Sequence, residues 1–288
     1  MKLLILGTND NFSKNIARFF NLKYEVFAPS SEYMDITSKE EVFDEIEAFS
    51  PNAVLFFPPI IDEAECEKDA DRAFKHNAYA AGLAAVAAAR VNASFVLFSS
   101  YKVYGNTKDV ITEDTPLLPE TLYGKTLLEA EKLALINEKS LVLRLGEAFE
   151  RDNGMLASFE SLIGSEGIVK ISDVKKGSFV CSDTAAKMTD KLLDSGEYGV
   201  FNIASSGHAS WFEFANEVFR HYDAEVHTYA DEEGKFKNSK NYPDNFRLSI
   251  EKFKKVTGFV PLDWHDEVKH TVNEKMLLLS AEKALEEK

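Results

Sequence analysis

Apolar residues in this chain recur with two periods, and the two alternate. Leu3 to Leu6 is an unbroken apolar run closed by Gly7, the pattern of a strand buried on both faces in a parallel sheet. Phe12, Ile16, Phe19 and Phe20 follow at helical spacing, and Tyr24 to Ala28 reads as a second strand. Ser38 and Glu41 have the spacing of a capping box ahead of a helix running to Phe49. Ala53 to Phe57 reads as a third strand, Ala64 to Arg90 as one long alanine-rich helix, and Ser94 to Ser99 as a fourth strand. A helix over Leu122 to Leu135 and a strand over Leu141 to Leu145 complete the alternation. Strands exchanged with helices in this way predict an α/β, Rossmann-like, doubly wound parallel sheet. After Glu147 the rhythm changes. Short strands (Gly167 to Ile171, Val200 to Ile203) mix with helices starting near Asp183 and Ser210, where Ser210 and Glu213 form a second capping box. Residues 1–147 are therefore expected to form the sheet domain. Residues 148–288 are expected to form mainly a smaller lobe, partly interleaved with the first, because no Gly/Ser linker separates them.

Charge narrows the partners. The 288 residues carry 33 Lys and Arg against 48 Asp and Glu, a net charge of -15. Such a surface repels phosphate backbones and anionic lipid, which disfavours nucleic acid and membranes. It also repels an anionic nucleotide, so a nucleotide pocket has to be locally basic or rich in backbone N–H groups. Cys66 and Cys181 stand far apart with no metal spacing and read as free thiols of a reducing, cytoplasmic compartment. The apolar run from Met1 to Gly7 is too short for a signal peptide and reads as a strand. No stretch approaches a membrane span. The six His are scattered, so no metal site is expected, and the acidic runs read as solvated helix faces.

Four places carry candidate chemistry. A strand, tight turn and helix N-terminus hold a diphosphate through unpaired N–H groups, provided glycines let the backbone approach. Here the turn is Gly7-Thr-Asn9-Asp10-Asn-Phe-Ser13. Of the glycines such a turn wants at positions 7, 10 and 13, only Gly7 is present. Asp10 puts a carboxylate where a diphosphate would sit, and the alternative is a plain connection capped by Asp10 and Asn11. Asp35-Ile36 follows the second strand, Ser99-Ser100-Tyr-Lys102-Val-Tyr-Gly105 ends the fourth, and Tyr123-Gly-Lys-Thr-Leu127 opens the next helix.

These residues resemble the extended short-chain dehydrogenases, most closely the dTDP-4-dehydrorhamnose reductases. The stretch from Ile111-Thr-Glu113 through Pro119 and Tyr123-Gly-Lys-Thr to Leu128-Glu-x-Glu131 is similar without a gap. The likeness runs on through Leu143-Arg144, Tyr198 to Asn202 and Ser210-Trp211. It implies that Ser100 polarises a carbonyl and Tyr123 donates a proton to it. It implies that Asn77 fixes main chain and a water near the site, and that Gly7, Asn9, Asp10, Asp35, Ile36 and Tyr123 lie against an NADPH or NADH cofactor. Asp35 would accept from the adenine amino group or, on the residue alone, cap a turn. The second half becomes a substrate lobe for a sugar nucleotide such as a dTDP-sugar.

Several positions depart from the family. The lysine that binds the nicotinamide ribose and lowers the tyrosine pKa stands four residues after it, and here that position is Leu127. Lys125 faces another side of the helix. The Tyr-x-x-x-Lys match at Tyr104 to Lys108 lies in a loop and reads as coincidence. Lys102, if the chain is still extended there, shares a side with Ser100 and approaches Tyr123; otherwise it is a surface lysine. Phe57-Pro58-Pro59 replaces small residues beside the cofactor, Tyr242-Pro243 replaces Arg-Pro with Arg247 nearby, and Ser249 replaces an aspartate. The losses gather on cofactor functions, so weak cofactor binding is expected. Two classes of function remain open. One is an active NAD(P)-dependent reductase or epimerase of a nucleotide-linked 4-keto sugar. The other, which the losses favour, is a catalytically impaired relative that binds a nucleotide or sugar nucleotide, or serves as a partner subunit. Val268, Val272, Met276, Leu279 and Leu285 fall on one side of a terminal helix widened by Leu277-Leu278. That helix either packs on its own lobe or joins two copies as a homodimer.

Overall fold

The computed structural model describes residues 1–151, 154–231 and 243–286. Its central sheet contains β1 (Lys2–Leu6), β2 (Glu25–Phe27), β3 (Ala53–Phe56), β4 (Ser94–Ser100), β5 (Ser140–Leu145) and, from the second half, β10 (Gly199–Ile203). The order is β2-β1-β3-β4-β5-β10 and every pairing is parallel. Adjacent residues of β1 serve opposite faces. Leu3 and Ile5 pack under α1 (Asn11–Asn21), α8 (Ser182–Ser195) and α10 (Glu251–Thr257) with Ile16, Met188 and Phe253. Leu4 and Leu6 pack under α2 (Lys39–Phe49), α5 (Ala80–Arg90) and α6 (Leu122–Ala134) with Val42, Ala84 and Ala130. Burial on both faces is why these strands are unbroken apolar runs. The winding direction reverses between β1 and β3, and a crevice outside the carboxyl ends of such strands is where open α/β sheets bind ligands.

The second half returns to this sheet through α8, β10 and α10, and builds a separate core beyond it. There β6 (Glu147–Glu150) pairs with β9 (Phe179–Val180) and β7 (Val169–Ser172) with β12 (Thr228–Asp231). β8 (Lys176–Gly177) lies between β11 (Ala209–Ser210) and β13 (Asn245–Phe246). With α7 (Gly154–Glu160), α9 (Trp211–His221) and α11 (Trp264–Glu286) they bury Phe179, Phe214, Phe246 and Trp264 together. The Ser210–Glu213 capping box forms in full. At Ser38 only half forms: Ser38 accepts from the Glu41 amide, but the Glu41 carboxylate accepts from the Asp35 amide instead. Val268 and Val272 of α11 are buried, whereas Met276, Leu277, Leu278 and Leu279 are exposed. The Leu285 side chain lies outside the described residues.

The long helix expected over residues 64–90 is interrupted. It is divided into α3 (Glu63–Lys68), α4 (Ala70–Ala73), a π-helical turn over Phe74–Tyr79, and α5. Asp69 leaves helical geometry and caps α4 by accepting from the Arg72 amide. Periodicity alone misses this, because an aspartate that caps competes with the helix it would otherwise continue. No helix of the described residues is long and apolar enough to cross a membrane.

One carboxylate ties the layers together. Glu267 at the start of α11 is buried and accepts from the Thr184 and Ser205 hydroxyls. Burial raises its pKa against these hydrogen bonds, which favour the charged form. A carboxyl raised in the folded state loses stability as pH climbs from its unfolded value through its folded one. Glu267→Gln is therefore expected to gain in Tm on the parent between about pH 4.5 and about pH 8. Thermal melts at both pH values check it, and an equal difference at the two contradicts it.

Candidate active site

Three turns at the carboxyl edge of the sheet converge. The first leaves β1 through Gly7, at φ +80°, where a Cβ would stand 1.9 Å from the Phe57 carbonyl oxygen. Only glycine allows that approach, which places the β1 and β3 exits in contact. Asn9 is exposed, its amide donating to the Gly7 carbonyl at 2.8 Å. Asp10 caps α1: its Oδ1 accepts from the Ser13 amide at 2.7 Å and the Ser13 hydroxyl at 2.9 Å. Asn11 is the first residue of the helix rather than a cap. The second turn leaves β3 through Phe57-Pro58-Pro59, with the Phe57 ring stacked on Phe98 at 4.0 Å. The third leaves β4 at Ser100 and enters a 3-10 turn over Tyr101–Val103.

Tyr123 lies in the first turn of α6, whose N-cap Thr121 accepts from the Gly124 amide at 3.1 Å. It is half-buried and packs on Ile60, Cys66 and Ala73. Asn77, wholly buried in the π-helical turn, accepts from the Ile60 amide at 3.0 Å and donates to the Ile60 carbonyl at 2.7 Å. Its Nδ2 also reaches the Thr126 hydroxyl at 3.1 Å, which donates to the Tyr123 carbonyl at 2.8 Å. Asn77 thus fixes both the segment leaving Pro59 and the backbone of Tyr123. The wider turn of a π-helix makes this aim available, and such turns recur at functional sites.

The field around Tyr123 is acidic. Burial pushes its phenol above the ordinary tyrosine value, and Asp10, Cys66, Glu147 and Glu63 push it further. Glu150 stands close to Asp10 and is raised mainly by burial; it accepts from the Ser182 amide at the start of α8 and from Asn15. The helix ends of α1 and α8 are thus both held by the chain's own carboxylates.

The altered positions have definite places. Leu127 is fully buried in the core with Tyr101, Val103 and Phe149. Lys102 is neither extended nor on the surface. The backbone has turned after Ser100, whose Oγ accepts from the Lys102 amide at 3.3 Å, and the Lys102 ammonium donates to Glu63 at 2.5 Å. The turned backbone removes the premise on which Lys102 shares a side with Ser100. Asp35 is exposed and caps its own turn, Oδ1 accepting from the Thr37 amide and hydroxyl at 2.8 and 2.7 Å, which lowers its pKa; Ile36 is half-buried. Tyr104 is buried, its hydroxyl donating to Asn202 at 2.9 Å and accepting from Arg144 at 2.8 Å, far from the role its spacing to Lys108 mimics. Arg247 donates to Asn245 and to the Lys108 carbonyl, and the Ser249 amide donates to the Ile111 carbonyl. Tyr242 lies outside the described residues. Glu63 and Glu147 are not legible as site residues in the sequence, Glu63 because it lies in an acidic run after Asp62 that reads as a solvated face. Among the described residues no group of three or more His, Cys, Asp or Glu is placed to hold a metal.

The family described as RmlD substrate binding domain matches residues 1–277. The chain belongs to the RmlD family. It is an extended short-chain dehydrogenase/reductase by sequence and fold. It is 26% identical over 290 residues to a dTDP-4-dehydrorhamnose reductase of Aggregatibacter actinomycetemcomitans, covering 93% of this chain and 97% of that one. A crystal structure of a dTDP-4-dehydrorhamnose reductase ortholog from Clostridium acetobutylicum superposes with a TM-score of 0.88 at 27% identity, over 95% of this chain and 99% of the other. The same fold is seen in the Bacillus anthracis dTDP-4-dehydrorhamnose reductase in complex with NADP, TM-score 0.87 at 20% identity, over 95% and 99% of the two chains.

Proposed function

We propose that this RmlD-family protein binds a sugar nucleotide of the dTDP-4-keto type, and that its reductase chemistry is impaired by weak cofactor binding. The observation that carries the reading is the Asp10 carboxylate on the Ser13 amide at the N-terminus of α1. A diphosphate placed there needs free N–H groups and no fixed negative charge. The residues present therefore do not fit the diphosphate of NADPH or NADH in that position, and Glu150 nearby deepens the mismatch. Leu127 adds to it, since an apolar buried side chain supplies no cation to the tyrosine.

The substrate side is better preserved. By resemblance Ser100 would hold a carbonyl oxygen and Tyr123 would protonate it, and Asn77 steadies the tyrosine's backbone through Thr126. With its pKa raised, Tyr123 keeps its proton at neutral pH and gives it up reluctantly. These three residues are what favour the second reading, an active NAD(P)-dependent reductase or epimerase of a nucleotide-linked 4-keto sugar.

Calorimetric titration with NADPH and with NADH separates the two. We expect dissociation constants weaker than about 100 µM, that is, less than about 5.5 kcal/mol of binding free energy. Turnover of dTDP-4-dehydrorhamnose should lie on the order of 10²–10⁴ below that of a working reductase, the range one acid–base group contributes. Leu127→Lys should raise it. A low-micromolar dissociation constant with robust turnover that Tyr123→Phe abolishes would establish the active reading instead.

A further inference from the structure

With Leu127 in the core, the polar group nearest along α6 to Tyr123 is Thr126. It is wholly buried. Its hydroxyl donates to the Tyr123 carbonyl at 2.8 Å and accepts from Asn77 Nδ2 at 3.1 Å. A hydroxyl has one proton to give, so once it donates to the carbonyl only its lone pairs face Asn77. Threonine in a helix commonly bonds a carbonyl one turn back, and such a bond alone acts within its own helix. The bond that Thr126 receives comes from a different element, and neither Thr126 nor Asn77 is open to water that could replace it.

Asn77 passes the restraint on. Its Oδ1 accepts from the Ile60 amide at 3.0 Å, which sets the orientation of the side-chain amide, and its Nδ2 donates to the Ile60 carbonyl at 2.7 Å as well as to Thr126. Ile60 is where the β3 exit can be held. The Phe57 amide makes the last bond to β1, at the Leu6 carbonyl, and Pro58 and Pro59 have no N–H. The next backbone donor is that of Ile60. The Cys66 thiol also reaches the Ile60 carbonyl, at 3.6 Å. The Ile60 side chain in turn packs on Tyr123. The tyrosine is thus joined to one residue twice, by side-chain packing and by a backbone path that runs through Asn77 and Thr126.

We propose that Thr126 is a positioning residue: its hydroxyl locks the Tyr123 main chain to the Ile60 segment through Asn77, so that the tyrosine and the wall it packs on are held as one unit without a contribution from residue 127. The inference rests on the reading of Tyr123 as the proton donor. Its physical basis is that removing the hydroxyl leaves a buried Asn77 donor unpaired, and the restraint on Ile60 loosens with it.

The test is native-state hydrogen exchange of the Ile60 amide in the whole protein, followed by NMR, with the Leu143 amide of β5 as the report on unfolding of the sheet. Thr126→Val keeps the shape and loses the hydroxyl; Thr126→Ser keeps the hydroxyl and loses the methyl. In Thr126→Val, Ile60 is expected to exchange about twofold to tenfold faster relative to Leu143, the range of one hydrogen bond, and in Thr126→Ser to match the parent. Acceleration of Ile60 and Leu143 by the same factor means a general loss of stability and overturns the proposal. Equal acceleration in the serine and valine variants means that the methyl matters rather than the hydroxyl, and overturns it too. Should Thr126→Val fail to fold, Thr126→Ala against Thr126→Ser makes the same comparison with the same outcomes required. Turnover of dTDP-4-dehydrorhamnose with NADPH tests the underlying reading separately. A displaced tyrosine should lower kcat about tenfold in Thr126→Val with KM little changed, and Thr126→Ser should restore it. Faster exchange at Ile60 with unchanged kcat leaves the linkage standing and counts against Tyr123 as the donor.

Discussion

Asp10→Asn is expected to tighten NADPH binding about tenfold to a hundredfold. Asparagine caps a helix as well as aspartate does, so α1 keeps its first hydrogen bond and only the charge is lost. Two like charges about 4 Å apart repel by about 4 kcal/mol at an effective dielectric near 20. Asp10 is half-buried, so solvent screening reduces this to about 1.4–2.8 kcal/mol, each 1.4 being a factor of ten in affinity. Asp10→Gly/Ser13→Gly opens space for the diphosphate in addition, at a cost of roughly a few tenths of a kcal/mol in capping. The measurement is calorimetry of NADPH against the parent and both variants. If neither variant gains affinity, the turn is not what limits the cofactor, and Pro58-Pro59 becomes the place to look, because two prolines there supply no N–H donors.

Glu131→Ala is expected to cause a large loss of stability although it lies outside the site. Glu131 and Arg144 are 2% and 3% exposed. The guanidinium meets both carboxylate oxygens, Nε at 3.0 and 3.2 Å and Nη2 at 2.7 Å, and donates onward to Tyr104 and the Glu113 carbonyl. Ser99 donates to the same carboxylate at 2.6 Å. Removing the glutamate leaves a buried guanidinium without its counter-charge, which costs about 3–5 kcal/mol. For a chain of this size that lowers Tm by roughly 6–15 °C. Replacing both partners by apolar residues, Glu131→Leu with Arg144→Met, should cost much less, since no lone charge remains. A calorimetric scan in which the single change shifts Tm by under about 2 °C would show that the network is incidental to stability.

How far the sequence speaks depends on the range of the interaction behind each feature. The strands of the sheet were legible because burial on both faces demands contiguous apolar residues, and Leu3 to Leu6 can satisfy that demand nowhere else. Ser210 and Glu213 complete their box because both partners lie within one turn. Ser38 completes only half, since Glu41 finds the Asp35 amide. The 64–90 helix reads as continuous only while Asp69 is counted as a helix residue rather than as a cap. Asp10 was visible as an obstacle to a diphosphate from its position in the turn. Its own hydrogen bond to Ser13 turns that obstacle into a filled helix terminus.

The sequence by itself determined the α/β alternation and the local caps, and it placed Leu127 one helical turn after Tyr123. Local period and a resemblance in register suffice for these, because each depends on residues within a turn or a strand of one another. Tertiary structure alone decided the Glu63–Lys102 pair, 39 residues apart, the hold of Asn77 on Thr126, 49 apart, and the Glu150 cap on α8, 32 apart. Such contacts arise where the parallel crossovers bring separate turns to one edge of the sheet. A side chain there takes the partner that compensates its charge in a site withdrawn from water, and no pattern along the chain encodes which partner that is.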